Sequence, residues 1–126
     1  MAKLVEMDDR VSIFAQMEEN VDDNGPVMLI NKFSVVPEEF DQFLKGWATE
    51  AKKFKEQPGF ISTQLHKGIG GSGTFVNYAV WESAAHFKEA VMKVMDPQDR
   101  MSAYPQSTVA SPHLFKKVAI PGICVD

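Results

Sequence analysis

The sequence predicts an α+β fold of the split βαβ kind, with an antiparallel four-stranded sheet and two helices on one of its faces. Three observations carry this. Strand-length runs rich in β-formers occur at "VMLINKFSVV", "FISTQLHKG" and "TFVNYAVW". Two further segments repeat their apolar residues at helical spacing behind good start signals, Pro37 and Ser83. The resulting order, β-α-β-β-α-β, is the one that places both helices over the same side of an antiparallel sheet, the ferredoxin-like arrangement.

Residues 1–25 read as an N-terminal arm. Val11, Ile13, Phe14 and Met17 suit one short strand or turn of helix, and the acidic loop "EENVDDNG" follows. So few apolar groups cannot fold alone, so the arm is expected to lie against the domain or against a partner subunit. The domain proper is expected over residues 26–120, with a C-terminal tail at 121–126.

In "VMLINKFSVV", Leu29, Asn31, Phe33 and Val35 share one face, and Met28, Ile30, Lys32 and Ser34 share the other. Pro37 opens a helix at the position where its missing N–H costs nothing, and Glu38, Glu39 and Asp41 suit the positive end of the helix dipole. Phe40, Phe43, Leu44, Trp47, Ala51 and Phe54 form its apolar stripe, Lys52, Lys53 and Lys55 crowd the last turn, and Pro58-Gly59 stops it. The next strand sets Phe60, Ser62, Gln64 and His66 against Ile61, Thr63 and Leu65. "GIGGSG" then makes a hairpin loop: it spells a Gly-rich phosphate motif but joins two strands and opens no helix. In the third strand Phe75, Asn77, Ala79 and Trp81 oppose Val76, Tyr78 and Val80. Ser83 caps the second helix, striped by Phe87, Ala90, Val91 and Val94, which ends near "MDPQDR" because Asp96 precedes a proline. "MSAYPQSTVASP" reads as loop and "HLFKKVAI" as the last strand.

Composition narrows the function. The 126 residues are 44% hydrophobic, 10% aromatic and 24% charged, with a net charge of -4 and no basic stripe, so nucleic acid is not an expected partner. No apolar run is long enough to span a bilayer, and the acidic, interrupted N-terminus is not a signal peptide. A single cysteine, Cys124, excludes an internal disulfide and a cysteine-rich zinc site and fits a reducing compartment. The expected location is the cytoplasm. His66, His86 and His113 lie on separate elements without metal-ligand spacing, so no metal site is expected. Helices on one face leave Met28, Ile30, Ile61, Leu65 and Val76 or their face-mates exposed on the other, which predicts a homodimer with two sheets packed face to face.

The chemistry-bearing candidates are Asn31, Asn77, Trp81 and His66. A buried amide without a partner costs a few kcal/mol. Either the fold satisfies Asn31 and Asn77, through each other or through loop backbone, or they line a ligand pocket. Trp81 is core or pocket wall by the same token, and His66 is a surface residue or a proton-transfer group.

The segments "VMLINKFSVVPEEFDQFLKGW", "QPGFISTQLHKG", "VNYAVWESAAHFKEAV" and "SPHLFKKVA" resemble the antibiotic biosynthesis monooxygenase family, within the dimeric α+β barrel superfamily. "PGF" and "NYAVWES" are the most telling pieces, and the second is similar to the quinone-forming monooxygenases of aromatic polyketide pathways. The resemblance implies a monooxygenase that inserts molecular oxygen into a phenolic or anthrone-type aromatic ligand without flavin, haem or metal. It also implies that Asn77 and Trp81 line the substrate cavity; beside them, the residue pattern itself assigns Asn31 to hydrogen bonding of the substrate oxygen and His66 to proton transfer. Phe40, Phe43, Trp47 and Phe87 would form the apolar wall. Phe87 stands where the polyketide enzymes carry a tyrosine. Two alternatives remain. One is haem degradation, as in another branch of the superfamily; Asn31 matches that branch, but Ala90 stands near the position of its tryptophan and the region around Arg100 offers no histidine. The other is a non-catalytic ligand-binding dimer.

Overall fold

The protein is described by a computed structural model over residues 2–19, 25–95 and 101–124. Strand β1 (Lys3–Leu4) and helix α1 (Ile13–Glu19) precede β2 (Val27–Ser34). A 3-10 turn, Pro37–Glu39, runs directly into α2 (Phe40–Lys55), followed by β3 (Phe60–Lys67), β4 (Thr74–Trp81), α3 (Ala84–Val94) and β5 (Val109–Phe115). The expected acidic loop lies partly outside the described residues, as do the Asp96–Pro97 helix stop and Arg100.

The sheet corrects the expectation of four antiparallel strands. It has five, in the order β1-β5-β2-β4-β3, and is mixed, because β1 runs parallel to β5 while the other pairs are antiparallel. It also corrects the assignment to a barrel superfamily. β1 and β3 lie at opposite ends of an open sheet, whereas a barrel needs its first and last strands to be hydrogen-bonded to each other.

The arm supplies both additions to the expected fold. Lys3 donates to the Thr108 carbonyl and Val5 to that of Ala110, giving β5 a short parallel neighbour. Beyond it, Gln16 of α1 takes over the edge: its Oε1 accepts from the Leu114 amide at 2.7 Å, and its Nε2 lies 3.0 Å from His113 Nδ1. Pro112 sits between Ala110 and Leu114 and turns its nitrogen to the same side, past the end of β1. The missing N–H therefore disrupts no ladder. That is why β5 begins at Val109, where the sequence reads as loop, and not at His113.

A second phase error occurs in β3. Phe60 pairs with Trp81 and Ser62 with Val80, so Ile61 is bulged out and is half-exposed at 51%. The bulge puts Phe60 on the same face as Thr63 and Leu65 and leaves Ser62, Gln64 and His66 on the other. At α3 the cap is as expected: Ser83 Oγ accepts from the His86 amide at 3.1 Å. Gly59, at φ 88°, turns the chain from α2 into β3 so closely over His86 that a methyl there would overlap the imidazole.

All three helices cover the face that carries Leu29, Phe33, Phe75, Ala79 and Trp81, and the apolar core beneath them is in two pieces. One piece joins Ile13 and Met17 of α1 to Val27, Leu29, Ala79 and Trp81 and to Ala84, Phe87 and Ala90 of α3. The other joins Phe43 of α2 to Phe33, Val35, Phe75, Tyr104 and Ala110. Phe43 is the keystone of that second piece, fully buried, with ring centroids 5.0 Å from Phe33, 4.7 Å from Phe75 and 5.6 Å from Tyr104. Among the described residues no helix is long and apolar enough to cross a membrane. Phe43→Ala is expected to lower the unfolding free energy by about 3–5 kcal/mol, seen as a fall in the urea midpoint at unchanged slope.

Candidate functional site

The boundary between the two core pieces is set by one row of the sheet. Leu29 stands opposite Ala79 and Phe33 opposite Phe75; between them Asn31 stands opposite Asn77. Neither apolar cluster can close over this row without drying two amides, and a cavity of about 310 Å³ opens there between sheet and helices. That volume is at the lower end of small-molecule sites. The walls are overwhelmingly apolar, drawn from every helix and from β1 to β5.

The two amides are not equivalent. Thr63 Oγ1 donates to Asn77 Oδ1 at 2.6 Å, which fixes the amide orientation, and among the described residues none accepts from its Nδ2. Asn31 Oδ1 is buried and has no hydrogen-bond partner. The sheet wall therefore carries a donor at Asn77 and, paired with it, an Asn31 whose buried carbonyl is unanswered among the described residues. Trp81, only 1% exposed, is held edge-on by Phe54, Phe60 and Phe87, with centroids at 6.1, 5.5 and 5.7 Å.

The helical side of the cavity carries a second polar pair. Glu50 of α2 and Tyr104 both line it, and the tyrosine hydroxyl donates to Glu50 Oε1 at 3.0 Å. One turn earlier on α2, Gly46 lets the chain at residue 103 come down onto the helix: a methyl at Gly46 would overlap the Ala103 carbonyl oxygen. Burial pushes the Glu50 carboxyl above its usual range, against the opposing effects of the Tyr104 hydrogen bond and the Lys53 charge. Burial, and then the charge and hydrogen bond of Glu50, keep the Tyr104 hydroxyl protonated far above its ordinary range.

Of the residues singled out from sequence, Asn31, Asn77, Trp81, Trp47 and Phe87 come together around this cavity. Three do not. His66 is on the opposite face of the sheet, because of the bulge at Ile61, with its Nδ1 3.3 Å from the Val76 carbonyl. Phe43 is sealed within the second core piece, and Phe40 stacks edge-on to Phe75 at 5.2 Å beneath the Lys67 ammonium. The α2 stripe points its later turns, Trp47, Glu50, Ala51 and Phe54, at the cavity and its first turn elsewhere. Sequence reading missed Glu50 and Thr63 and had no means of placing Tyr104. The available signal for Glu50 was a carboxylate inside an apolar helical stripe, three residues after Trp47 and four before Phe54. Among the described residues no histidine lines the cavity, and Ala90 is packed into the core under α3, so the residues present supply no histidine ligand to haem.

The sequence profile of the antibiotic biosynthesis monooxygenase family matches residues 26–92, more than half of the chain. Among solved structures, a candidate monooxygenase of Shewanella loihica PV-4 is 28% identical with a TM-score of 0.64, over 76% of this chain and 97% of that one. SnoaB from Streptomyces nogalater, a cofactor-independent oxygenase, is 24% identical with a TM-score of 0.65, over 78% of this chain and 98% of that one. MhuD, in a mutant form with two manganese protoporphyrin IX molecules bound per active site, is 23% identical with a TM-score of 0.60, over 76% and 98%. The last two likenesses speak to fold alone. The comparison with proteins of curated function finds no match.

An unanswered buried carbonyl is a liability to folding, so Asn31→Leu is expected to raise the unfolding free energy by about 1–2 kcal/mol and to weaken binding of any hydroxylated ligand. Denaturant melts paired with ligand titration check both.

Proposed function

Since the chain belongs to the antibiotic biosynthesis monooxygenase family, we propose that it is a cofactor-independent monooxygenase inserting oxygen into a phenolic or fused-ring aromatic substrate of the anthrone type. The observation that carries this reading is an apolar cavity of ligand size whose sheet wall holds two amides, Asn77 and Asn31, the latter with a buried Oδ1 that has no partner among the described residues. A flat aromatic fills such a space, and only a molecule with a hydroxyl or N–H answers the carbonyl.

The chemistry needs little from the protein beyond shape, dryness and fixed dipoles. Ground-state oxygen is a triplet, so the substrate must itself supply an electron, and an ionised phenol does this far better than a neutral one. The Asn77 amide N–H groups donate to the substrate carbonyl or phenolate oxygen, Asn31 accepts from a neighbouring hydroxyl, and Trp81 holds the ring plane. For an anthrone the balance is one ring CH₂ plus O₂ giving one C=O plus water, with no external reductant. The apolar walls keep bulk water from the reactive anion.

With 1,8-dihydroxyanthrone, wild-type protein is expected to consume oxygen and release the anthraquinone. Asn77→Ala and Trp81→Phe lower kcat by about 100-fold. No oxygen uptake by the wild type sinks the reading; a Soret band on haem titration would then favour haem degradation, and tight binding without product a non-catalytic dimer.

We also infer a cytoplasmic homodimer. Its supports are an exposed free thiol at Cys124 and an outer sheet face on which Ile30, Val76 and Val80 are half-buried and Tyr78 and Phe115 are 38% and 37% exposed. Sedimentation velocity is expected to give twice the chain mass, and Tyr78→Lys to shift it towards one.

A further inference from the structure

Oxidation of a phenol by this route begins with loss of a proton, and the amide wall has no group to take it. Among the described residues lining the cavity, Glu50 and Tyr104 are the only titratable ones. The three histidines lie elsewhere: His66 on the outer face, His86 at the α3 cap and His113 on the outer side of β5 beside Gln16. We propose that Tyr104 and Glu50 form a proton-accepting relay that ionises the substrate hydroxyl inside the cavity, with Tyr104 touching the substrate and Glu50 the terminal base. The assignment rests on the oxygenase reading for the oxidation of the anion, but not for the ionisation itself.

The geometry is already that of a relay. Tyr104 donates its only proton to Glu50 Oε1 at 3.0 Å, so its oxygen can meet the cavity only as an acceptor. A substrate hydroxyl donating to that oxygen completes the chain. As the substrate O–H bond breaks, a new one forms on Tyr104 Oη; the original Tyr104 O–H breaks, and its proton binds Glu50 Oε1. Nothing is oxidised in this step, and one negative charge moves from the wall to the substrate, where molecular oxygen is its acceptor. The Tyr104 ring packs into the second core piece against Phe33 and Phe43, but that packing requires neither its hydroxyl nor the Glu50 carboxylate. Glu50 lies among Trp47, Ala51 and Phe54, a place where an apolar side chain or a glutamine would serve the helix better. Tyr104 is brought to it by a dedicated close approach, the seat left by the missing side chain of Gly46.

Burial raises the affinity of Glu50 for a proton, which brings it nearer the pH at which a general base works best. Its charged neighbour is Lys53, on its own helix, and Tyr104 is hydrogen-bonded to it; the other described residues lining the cavity are apolar or amide, with the Thr63 hydroxyl bonded to Asn77. The rate should fall as pH drops through the raised Glu50 value, because the protonated carboxyl can no longer accept.

The test uses the full chain and 2-hydroxyanthraquinone, a phenol already at the oxidation level of the product, whose ionisation is read from its visible spectrum. Bound to wild type, its phenolate band is expected at a pH at least one unit below that of the free dye, a tenfold shift. Glu50→Gln and Tyr104→Phe, which conserve shape, should abolish the shift while changing affinity for the neutral dye less than about threefold. Gly46→Ala, which removes neither group but unseats residue 103, should abolish it too. With the anthrone, Glu50→Gln should lower kcat about 100-fold or more, lose the acidic limb of the pH profile, and regain rate as bulk pH ionises the substrate. A wild-type complex without the shifted band, or a shift that survives Glu50→Gln, overturns the relay. If the shift is present but no oxygen is consumed, the relay stands and the oxygenase reading fails.

Discussion

The structure depends on the register of β2 against β4. Eight consecutive pairs, from Val27 with Trp81 to Ser34 with Thr74, hold Asn31 opposite Asn77 in the middle of the sheet. Because side chains alternate faces, a slip of one residue would turn the slipping strand over, sending Asn31 outward with Ile30 and Lys32 under the helices, or Asn77 outward with Val76 and Tyr78 there. The flanking pairs forbid this. Leu29 with Ala79 and Phe33 with Phe75 are buried in different core pieces, and each would lose its cluster. The same hydrophobic pattern that folds the sheet therefore fixes two polar groups where folding alone would not choose them. It leaves the core unable to close across that row.

The sequence carried that much because it depends on period-two alternation and on helical stripes bounded by proline, glycine and a serine cap. Asn31, Asn77 and Trp81 could be assigned to one face by counting, and Trp47 and Phe87 to helices above it. Counting failed wherever a backbone irregularity intervened. One bulged residue, Ile61, reversed the phase of β3, removing His66 from the site and bringing Thr63 into it. Pro112 looked like a loop residue because its tolerance depends on the length of a neighbouring strand, which nothing local specifies. Position along a helix was equally opaque: Phe40, Phe43 and Trp47 belong to one stripe, but where the cavity begins beneath it depends on how α2 crosses the sheet.

The N-terminal arm enters the site directly. Leu4, Ile13, Phe14 and Met17 contribute to the cavity lining, and α1 is fixed by Gln16 to the edge of β5 and by Ile13 and Met17 to the core under α3. A helix of seven residues has little stability of its own; its position comes from tertiary packing. Ser12 Oγ accepts from the Ala15 amide at 3.0 Å and Glu6 Oε1 from that of Ile13 at 2.8 Å, so the first turn is capped from both its own chain and the preceding loop. The arm thus closes one side of the hollow, and its docking and the dryness of the site are one event.

Among the described residues the cavity is polar in two places, and the two differ in kind. On the sheet, amides offer a fixed donor and a fixed acceptor whose charge state does not change with pH. On the helix, Glu50 and Tyr104 offer groups whose protons can move. Each has a folding cost: an unanswered carbonyl in one case, a carboxylate drawn out of water in the other. Costs of a kcal/mol or more at two positions facing one void are hard to reconcile with a packing defect, which a single leucine at position 31 would repair. They are what a site requires if it must hold an aromatic hydroxyl in a set orientation on one side and accept its proton on the other.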